Sequence, residues 1–401
     1  MQSRYRWLVA LLLATATALN YLDRQSLPVM IGELQKQFPI SPEDYARIQA
    51  AFLLAYAAMY AIGGRIIDLL GTRAGYAVFI AWWSAATIAH GFAQSVGGLA
   101  WSRFFLGLGE GGGFPASAKA VAETFPPKER SFAFGLFNTG SSLGAIVAPP
   151  LIAAIALSWG WRWVFFSAGA AGFVWLAFWM LTFRPDTVSK VSAERRATWF
   201  ELLRRRETVG LVTAKFLSDA AWYFYIFWLP RYLNDERGLN TKEIGAYAWV
   251  PYAFAAAGSL FGGMISSWLL VRTEDLNRSR KVVLAFSVAV MPISLFISQA
   301  PLSSALLFFG LAMLGHQCWS SLIQTVVADI FPAASVATVS GLVGCAGSLG
   351  GLLFNLVIGQ MLAAQGSYAP VFTVSGLLHP LAFLVLIYFI PTITPTEETP
   401  S

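Results

Sequence analysis

The chain has 401 residues, of which 57% are hydrophobic, 15% aromatic and only 12% charged, and its formal net charge is +6. Soluble domains carry about 25% charged residues, so this composition excludes a water-soluble globule and predicts a polytopic membrane protein. The basic residues are spread over short segments between apolar runs and form no face interleaved with aromatics, which argues against a nucleic-acid partner.

Twelve apolar runs of about 20 residues follow one another, and we predict that each is a transmembrane helix. The runs lie near residues 6–29, 45–70, 75–95, 98–121, 131–157, 161–183, 208–232, 242–271, 281–299, 302–328, 334–363 and 368–390. The start of the first run is similar to a cleavable signal peptide, but the run continues through Asp23 and Arg24 to Leu27, which favours a complete span.

The longest connection between runs carries seven Lys and Arg residues and divides the runs into two sets of six. We therefore predict an N-terminal six-helix bundle at 1–183, a cytoplasmic linker at 184–207 and a C-terminal six-helix bundle at 208–401. Loops and helix ends on one side of the predicted membrane hold seventeen basic residues, against six on the other side. By the positive-inside rule, the linker and both termini face the cytoplasm.

An internal repeat relates the two halves at a constant offset of 206 residues. Val121-Ala-Glu-Thr-Phe-Pro126 matches Val327-Ala-Asp-Ile-Phe-Pro332, and the same offset pairs Glu110 with His316. Two duplicated halves predict a substrate path at their interface near the middle of the membrane, with alternating access by rocking of one half against the other.

Four charged residues in the first half point to a polar cavity inside the membrane. Arg103 and Glu110 are seven residues apart, almost two helical turns, so they face the same side at a separation of about 10 Å. Each charge costs roughly 2.5 to 3.5 kcal/mol at mid-bilayer on insertion scales and is expected to face a cavity. Asp23 and Arg24 point about 100° apart on a helix, so both need partners on other helices, and Arg103 and Glu110 are the obvious candidates.

The second half carries its own charge pair in the seventh run. Lys215 and Asp219 are four residues apart, which suits an intrahelical ion pair as well as a cavity role. Trp222 lies on a related face, and an aromatic ring beside polar groups suits the apolar face of a sugar, although packing is the commoner role of Trp in membrane helices.

The histidines divide by their relation to the repeat. His316 is a candidate second proton carrier because it matches Glu110, and a neutral histidine hydrogen-bonded within the bundle is the alternative. His90 and His379 have no such relation and are interpreted as structural. No spacing of histidines and carboxylates predicts a metal site.

Several motifs resemble those of the major facilitator superfamily. Gly63-Gly-Arg-Ile-Ile-Asp68-Leu-Leu-Gly71-Thr-Arg73 is similar to its cytoplasmic loop signature. Asn20-Tyr21-Leu-Asp23-Arg24, taken with Arg103 and Glu110, resembles the anion:cation symporter family within it. The stretch from Lys215 to Pro230 and His316-Gln-Cys-Trp319-Ser are similar to its hexuronate transporter branch. The resemblance covers essentially the whole chain.

This resemblance implies an all-α membrane protein of twelve transmembrane helices in two pseudo-symmetric six-helix bundles. It also implies proton-coupled import of a hexuronate such as glucuronate or galacturonate across a bacterial inner membrane. Asp23 and Glu110 would couple protons, and Arg24 or Arg103 would bind the substrate carboxylate. The further candidates for substrate binding are Tyr21, Tyr56, Ser141, Trp222, His316 and Asn355.

The loop signature has a separate predicted role. Asp68 at the cytoplasmic end of the second run can pair with arginines or with the N-terminal end of a neighbouring helix. We interpret Asp68 and Arg73 as a gating latch, with topology and packing as the alternative.

Formal charges favour a monoanionic substrate. Three negative and three positive side chains make the predicted site neutral, so one added proton leaves a single positive charge. These side chains are Asp23, Glu110, Asp219, Arg24, Arg103 and Lys215.

Alternative functions remain open within transport and outside it. Another organic anion, such as an aldonate, an aldarate or a small carboxylate, is the nearest alternative. A proton/drug antiporter is weakened because Gly140-Ser-Ser-Leu-Gly144 only partly resembles the signature of that group. A membrane enzyme is disfavoured because the sequence shows no recognisable catalytic pair. A sensor is disfavoured because the sequence shows no recognisable output domain. With no nucleotide-binding loop, ATP is not the expected energy source. The resemblance implies the proton as coupling ion, and we expect no cofactor and a monomer whose partners are the substrate and the lipid bilayer.

Overall fold

A computed structural model of the chain describes residues 2–125, 127–184, 198–331 and 333–394. The described residues are almost entirely helical. The helices are α1 (Gln2–Val29), α2 (Ile31–Gln35), α3 (Pro42–Leu70), α4 (Thr72–Gly91), α5 (Val96–Glu110), α6 (Gly113–Thr124), α7 (Pro127–Trp159), α8 (Trp161–Thr182), α9 (Trp199–Leu203), α10 (Arg206–Asp235), α11 (Thr241–Tyr247), α12 (Trp249–Thr273), α13 (Leu276–Val290), α14 (Leu302–Ile330), α15 (Ala333–Gln365) and α16 (Ala369–Phe389). A 3₁₀ helix, Met291–Phe296, follows α13.

Eight described segments are long and apolar enough to cross a membrane by length and composition. These segments are Pro42–Ile67, Thr139–Trp159, Trp161–Thr182, Thr241–Thr273, Leu276–Phe296, Leu302–Ile330, Thr338–Gln365 and Ala369–Phe389. Three of the four other predicted spans, in α1, in α5 with α6 and in α10, contain the buried charged residues Arg24, Glu110 and Lys215. The positions of these three charged spans within the fold therefore bear most directly on function.

Local sequence explains where α3 begins and ends. The Ser41 side chain accepts a hydrogen bond from the Asp44 main-chain N–H, and the Asp44 carboxylate accepts one from the Ser41 N–H, which forms a capping box. Pro42 at the first helical position lacks only an N–H that the helix would not use. Gly71 ends the helix with φ of 77°, a conformation that favours glycine.

The first of two compact units comprises Met1–Val191, Ile226–Trp249 and Ile358–Ala363. In this unit α1 packs on α7, α3 on α5, and α4 on both α5 and α8. Gly144 on α7 lies directly against α1, because a Cβ there would come within 2.6 Å of the Ala18 carbonyl oxygen. This packing brings the charged end of α1 against α5.

The second unit comprises Ser192–Tyr225, Val250–Val357 and Ala364–Ser401. Here α14 packs on α13, and both α14 and α16 pack on the 3₁₀ helix. Its apolar core includes Trp319, Leu322, Ile323 and Val326 on one stripe of α14. The predicted division into bundles at 1–183 and 208–401, with a linker between them, stays a prediction.

The sequence repeat has a counterpart in how two helices end. The N–H of Phe125 bonds to the Val121 carbonyl at the end of α6, and the N–H of Phe331 bonds to the Val327 carbonyl at the end of α14. Phe125 has φ and ψ of −109° and 139°, and Phe331 has −108° and 144°. A proline follows each phenylalanine in the sequence and favours this extended conformation.

The two copies of the sequence repeat differ in the middle of the helical span, which is α5 with α6 in the first copy and α14 in the second. α5 ends at Glu110 and α6 begins at Gly113, whereas α14 runs unbroken from Leu302 to Ile330. The offset of 206 aligns the triple glycine, Gly111 to Gly113, with Gln317, Cys318 and Trp319, which have better helix propensity. The triple glycine therefore interrupts the helix directly after Glu110.

Candidate functional site

A buried ion pair joins α1 to α5. Arg24 donates from Nη2 to Glu110 Oε2 at 2.8 Å and from Nε to the same oxygen at 3.1 Å. The two side chains are 6% and 0% exposed. Asn20, one turn before Arg24, accepts a further bond from Arg24 Nη2 at 3.2 Å. The expectation that Arg24 finds a partner at Glu110 is confirmed.

Arg103 binds main-chain atoms of α1. Its Nη2 donates to the Arg24 carbonyl oxygen at 2.6 Å, and its Nη1 lies 3.5 Å from the Asp23 carbonyl oxygen. The Arg24 carbonyl is available because Pro28, four residues later in α1, has no N–H to donate to it. Among the described residues Arg103 forms no ion pair within 4 Å, so its expected pairing with a carboxylate is replaced by bonds to the backbone of α1.

The Asp23 carboxylate has a different environment from that of Glu110. Asp23 is only 2% exposed, and neither carboxylate oxygen has a hydrogen bond of standard geometry to a described residue. Thr87 on α4 and the Arg103 charge are its favourable neighbours. An isolated buried carboxylate is costly as an anion, so this position suits a group that binds a proton.

Arg24 and Glu110 open onto a cavity of about 200 Å³ in the first unit. This volume is below the 300 to 1,000 Å³ of pockets for drug-sized ligands and suits a smaller molecule. Its lining includes five side chains predicted from the sequence, which are Tyr21, Arg24, Tyr56, Glu110 and Ser141. The structure therefore brings these five residues together.

Aromatic rings surround the Arg24 guanidinium. Its central carbon lies 4.8 Å from the ring centroid of Tyr56, 5.1 Å from that of Tyr21 and 5.2 Å from that of Phe52. Such contacts stabilise a cation electrostatically and hold its plane in place. These three rings therefore contribute to positioning the Arg24 guanidinium independently of its ion pair with Glu110.

Sequence reasoning missed several lining residues. Thr17, Asn20 and Tyr60 also line the cavity. Each lies three or four residues from a predicted lining residue, either Tyr21, Arg24 or Tyr56. Residues at these spacings share a helix face, so extending each prediction by one turn would have found them.

In the second unit, Lys215 and Asp219 form the predicted intrahelical ion pair. Lys215 Nζ lies 2.9 Å from Asp219 Oδ1 and donates to Ser320 Oγ on α14 at 2.6 Å. Gly347 on α15 lies so close that a Cβ there would overlap Asp219 Oδ2. The ion pair is therefore held between three helices.

A pair of histidines continues this polar cluster. His316 Nδ1 lies 3.0 Å from His379 Nε2, and His316 Nε2 lies 3.8 Å from Asp219 Oδ1. The Trp222 indole stacks on the His316 ring at a centroid distance of 4.7 Å and an interplanar angle of 7°. His379 is therefore the hydrogen-bond partner of His316, and the interpretation of His379 as structural stays a prediction. His90 instead bonds the Ala86 carbonyl within α4.

The remaining predicted residues lie elsewhere in their units. Asn355 is fully buried in the second unit, where its amide donates to the Gly351 carbonyl at 2.8 Å. The Arg73 guanidinium donates to the Met180 carbonyl. The Asp68 side chain lies outside the described residues, so the gating role of Asp68 and Arg73 stays a prediction.

A metal centre has no support in the described part of the chain. No group of three or more histidine, cysteine, aspartate or glutamate side chains there is arranged to hold a metal ion. The chemistry that these residues offer is proton binding by carboxylates and anion binding by guanidinium groups.

Buried charges around a small cavity in a helical membrane protein are typical of a transporter of small molecules. The chain belongs to the Major Facilitator Superfamily, whose family model matches residues 13–355. It is therefore a multi-pass membrane transporter and not an enzyme, and the predicted fold of twelve membrane helices is confirmed.

Three known proteins illustrate the relationship. The Hexuronate transporter of Escherichia coli strain K12 is 32% identical, with 98% of this chain and 96% of the relative covered. The Galacturonate transporter of Dickeya chrysanthemi is 34% identical over 71% of this chain and 89% of its own length. A crystal structure of a D-xylose-proton symporter has a TM-score of 0.79 at 17% identity and covers 97% of this chain and 99% of its own, so it shows a shared fold.

Proposed function

We propose that the chain is a symporter that imports a hexuronate, such as glucuronate or galacturonate, together with protons by alternating access. The observation that carries the proposal is the buried Arg24–Glu110 ion pair in the wall of the cavity. Relatives named as hexuronate and galacturonate transporters support the substrate class. A planar guanidinium beside a titratable carboxylate is suited to exchange one anion for another.

The ion pair explains how a proton and an anion bind together. Arg24 donates to Glu110 in this structure. A proton that binds Glu110 removes its negative charge and frees the guanidinium, which then binds the substrate carboxylate through two parallel hydrogen bonds. Loss of the proton on the other side restores the ion pair and displaces the substrate. Proton binding therefore precedes anion binding, and release reverses the order.

Other lining groups supply recognition of the sugar. Asn20, Ser141 and the hydroxyl groups of Tyr21 and Tyr56 can hydrogen-bond sugar hydroxyls, while the tyrosine rings can cover an apolar face. Asp23 provides the second proton-binding carboxylate in this half. One added proton leaves the six charged residues with a net charge of +1, which matches a monoanionic hexuronate.

Uptake of labelled hexuronates into proteoliposomes tests the proposal. We expect an imposed pH gradient, acid outside, to drive accumulation of glucuronate or galacturonate, and unlabelled hexuronates to compete better than aldonates or drugs. In Glu110→Gln, gradient-driven accumulation should fall by at least tenfold while substrate counterflow remains measurable. Glu207→Gln is the matched control, because the Glu207 side chain is 36% exposed and lies 3.5 Å from Arg205 outside the cavity lining. Unchanged accumulation in Glu110→Gln would contradict the mechanism.

The membrane and its orientation follow from the loop charges and the relatives. We infer a bacterial inner membrane, with both termini in the cytoplasm, because seventeen basic residues lie on one predicted side and six on the other. A monomer is sufficient, since the cavity is lined within one chain.

A further inference from the structure

The histidine pair of the second unit has no part in the mechanism above. His316 on α14 and His379 on α16 are 1% and 0% exposed, and Lys215 and Asp219 on α10 are 6% and 7% exposed. Burial of four titratable side chains at one place costs folding free energy, so such a cluster points to a role in specificity or proton movement. Their geometry distinguishes between these uses.

The hydrogen bond between the imidazoles requires one donor and one acceptor. A neutral imidazole carries its single proton on one nitrogen, so a bond from His379 Nε2–H to His316 Nδ1 leaves His379 Nδ1 bare and places the His316 proton on Nε2. His379 Nδ1 is buried and has no hydrogen-bond partner among the described residues. His316 Nε2 faces Asp219 Oδ1 at 3.8 Å. The two rings therefore form a line from His379 Nδ1, which has no hydrogen-bond partner among the described residues, to the Asp219 carboxylate.

We propose that His379 and His316 form a proton relay that protonates Asp219 and so releases Lys215 from its ion pair. A proton binds His379 Nδ1, the Nε2 proton of His379 passes to His316 Nδ1, and the Nε2 proton of His316 passes to Asp219 Oδ1. Each ring ends neutral with its proton moved to the other nitrogen, and Asp219 ends as the acid. The last step needs a closure of about 1 Å to reach hydrogen-bond distance.

Lys215 and Asp219 are the charged groups at this line in the described part of the chain. His379 and Lys215 act electrostatically on His316, Lys215 acts on His379, and Asp219 pairs with Lys215.

α13 and the 3₁₀ helix also pack on α14 and α16. α12 packs on α14 as well, because a Cβ at Gly258 would overlap the Leu314 carbonyl. The charged residue of α12, Arg272, lies fourteen residues beyond Gly258, about 20 Å along the helix. α13 has its charges at its beginning, where Arg280 pairs with Asp329. Asp329 is thirteen residues from His316 along α14, about 20 Å away.

Release of Lys215 gives the second unit a proton-dependent cation. In the present arrangement Lys215 contacts both Asp219 and Ser320. Once Asp219 is neutral, Lys215 keeps only the neutral hydroxyl partner, and its charge is available to an anion. This consequence rests on the proposed transport function, whereas the relay itself is a property of the protein that is measurable without a substrate.

Time-resolved infrared spectroscopy of the full chain in lipid tests the relay. After a pH jump from a caged proton, the carboxylic-acid C=O stretch of Asp219 should appear, and Asp219→Asn identifies this band by its loss. In His379→Gln the band should appear at least tenfold more slowly, because the glutamine amide can hydrogen-bond His316 but cannot accept and pass on a proton. His316→Gln interrupts the same line and should have the same effect, so either variant is informative if the other does not fold.

The control and the contrary outcomes separate the relay from a structural hydrogen bond. His90→Gln removes a buried histidine of the first unit that bonds its own helix, and the Asp219 band should then appear at the wild-type rate. Equal rates in wild type, His379→Gln and His316→Gln would overturn the relay, as would a spectrum in which Asp219→Asn removes no band. Failure of the wild type to accumulate any hexuronate would instead overturn the proposed function and leave the infrared result standing.

Discussion

Arg24 holds the carboxylate of Glu110 at 2.8 Å across α1 and α5. Asp23, the neighbour of Arg24 in sequence, has no cation within 4 Å among the described residues. Adjacent residues of α1 thus present a paired cation and an unpaired acid, because they point about 100° apart. Arg103 fixes this arrangement by binding the carbonyl oxygen that Pro28 leaves free. The first half therefore combines a main-chain segment bound by Arg103 with a buried ion pair in the cavity wall.

Replacement of Arg24 by lysine tests the need for a planar cation. Lysine keeps the charge but loses the fork that binds one carboxylate through two hydrogen bonds. We expect the KM for hexuronate uptake to rise by about tenfold, equivalent to about 1.4 kcal/mol of binding free energy. Arg47→Lys is the control, because Arg47 is exposed and pairs only at 3.7 Å with Asp44. Equal KM values in the two variants would contradict binding by the guanidinium.

Two glycines of α15 provide a matched test of helix packing in the second unit. A Cβ at Gly350 would overlap the main-chain carbonyl of Phe216 on α10, whereas a Cβ at Gly341 meets nothing within 4 Å. We expect Gly350→Ala to destabilise the protein by about 1 to 3 kcal/mol through overpacking. Gly341→Ala should be neutral or stabilising by up to about 1 kcal/mol, because alanine is the better helix former. Thermal unfolding in detergent measures both, and a lower Tm for Gly341→Ala than for Gly350→Ala would refute the packing argument.

The sequence predicts those features that depend on local rules. Charged residues within apolar runs must find partners, and this predicts Arg24 with Glu110 and the i, i+4 pair Lys215–Asp219. The carbonyl bonds of Arg103 are not among these predictions, although the proline four residues after Arg24 leaves the Arg24 carbonyl without its usual helical donor.

Contacts between distant helices are predictable only where a buried charge needs an opposite charge, as for Arg24 and Glu110. The histidine pair has no such requirement. His316 and His379 are 63 residues apart, and no periodicity relates a residue of α14 to one of α16. The repeat identified His316 only because its first-half counterpart is Glu110, and it gave no signal for His379. The cavity lining was partly accessible, since Thr17, Asn20 and Tyr60 lie one turn from residues that were predicted.

Arg231 links the end of α10 to the start of α3 within the first unit. Its guanidinium donates to the Ser41 carbonyl at 3.2 Å, the Ile40 carbonyl at 3.4 Å and the Asp235 carboxylate at 2.9 Å. The proposed alternating access must separate these segments. We expect Arg231→Gln to weaken the link. Gln49 is fully buried on α3, so a cysteine introduced there as Gln49→Cys reports the separation. Its rate of labelling by a maleimide reagent should rise by several-fold in Arg231→Gln.

The labelling experiment uses a chain in which Cys318 and Cys345, the free thiols, are replaced by serine. Arg47→Gln is the control on the same helix, because its side chain is 72% exposed and does not contact α10 through an ion pair among the described residues. An unchanged labelling rate in Arg231→Gln would show that the carbonyl bonds do not hold the segments together.

Glu33 on the short helix α2 predicts a pH dependence of stability. Its carboxylate accepts hydrogen bonds from Lys36 at 2.9 Å and from Thr241 at 3.0 Å. Partial burial alone would raise the pKa of Glu33, but the hydrogen bonds and the Lys36 charge outweigh it and lower the pKa from 4.5. A lowered folded-state pKa means that the contribution to stability is complete above the unfolded pKa and is lost as the pH falls through the folded value.

Glu33→Gln should therefore lower the Tm at about pH 7, and the difference from wild type should shrink as the pH falls to about 3, where both chains carry a neutral group. Thr241→Val removes one donor and leaves the carboxylate, so it should produce a smaller loss at about pH 7 with the same decrease toward acid pH. Thermal unfolding in detergent across this pH range measures both effects. A Tm difference for Glu33→Gln that stays constant with pH would mean that packing, and not the ionised carboxylate, links α2 to α11.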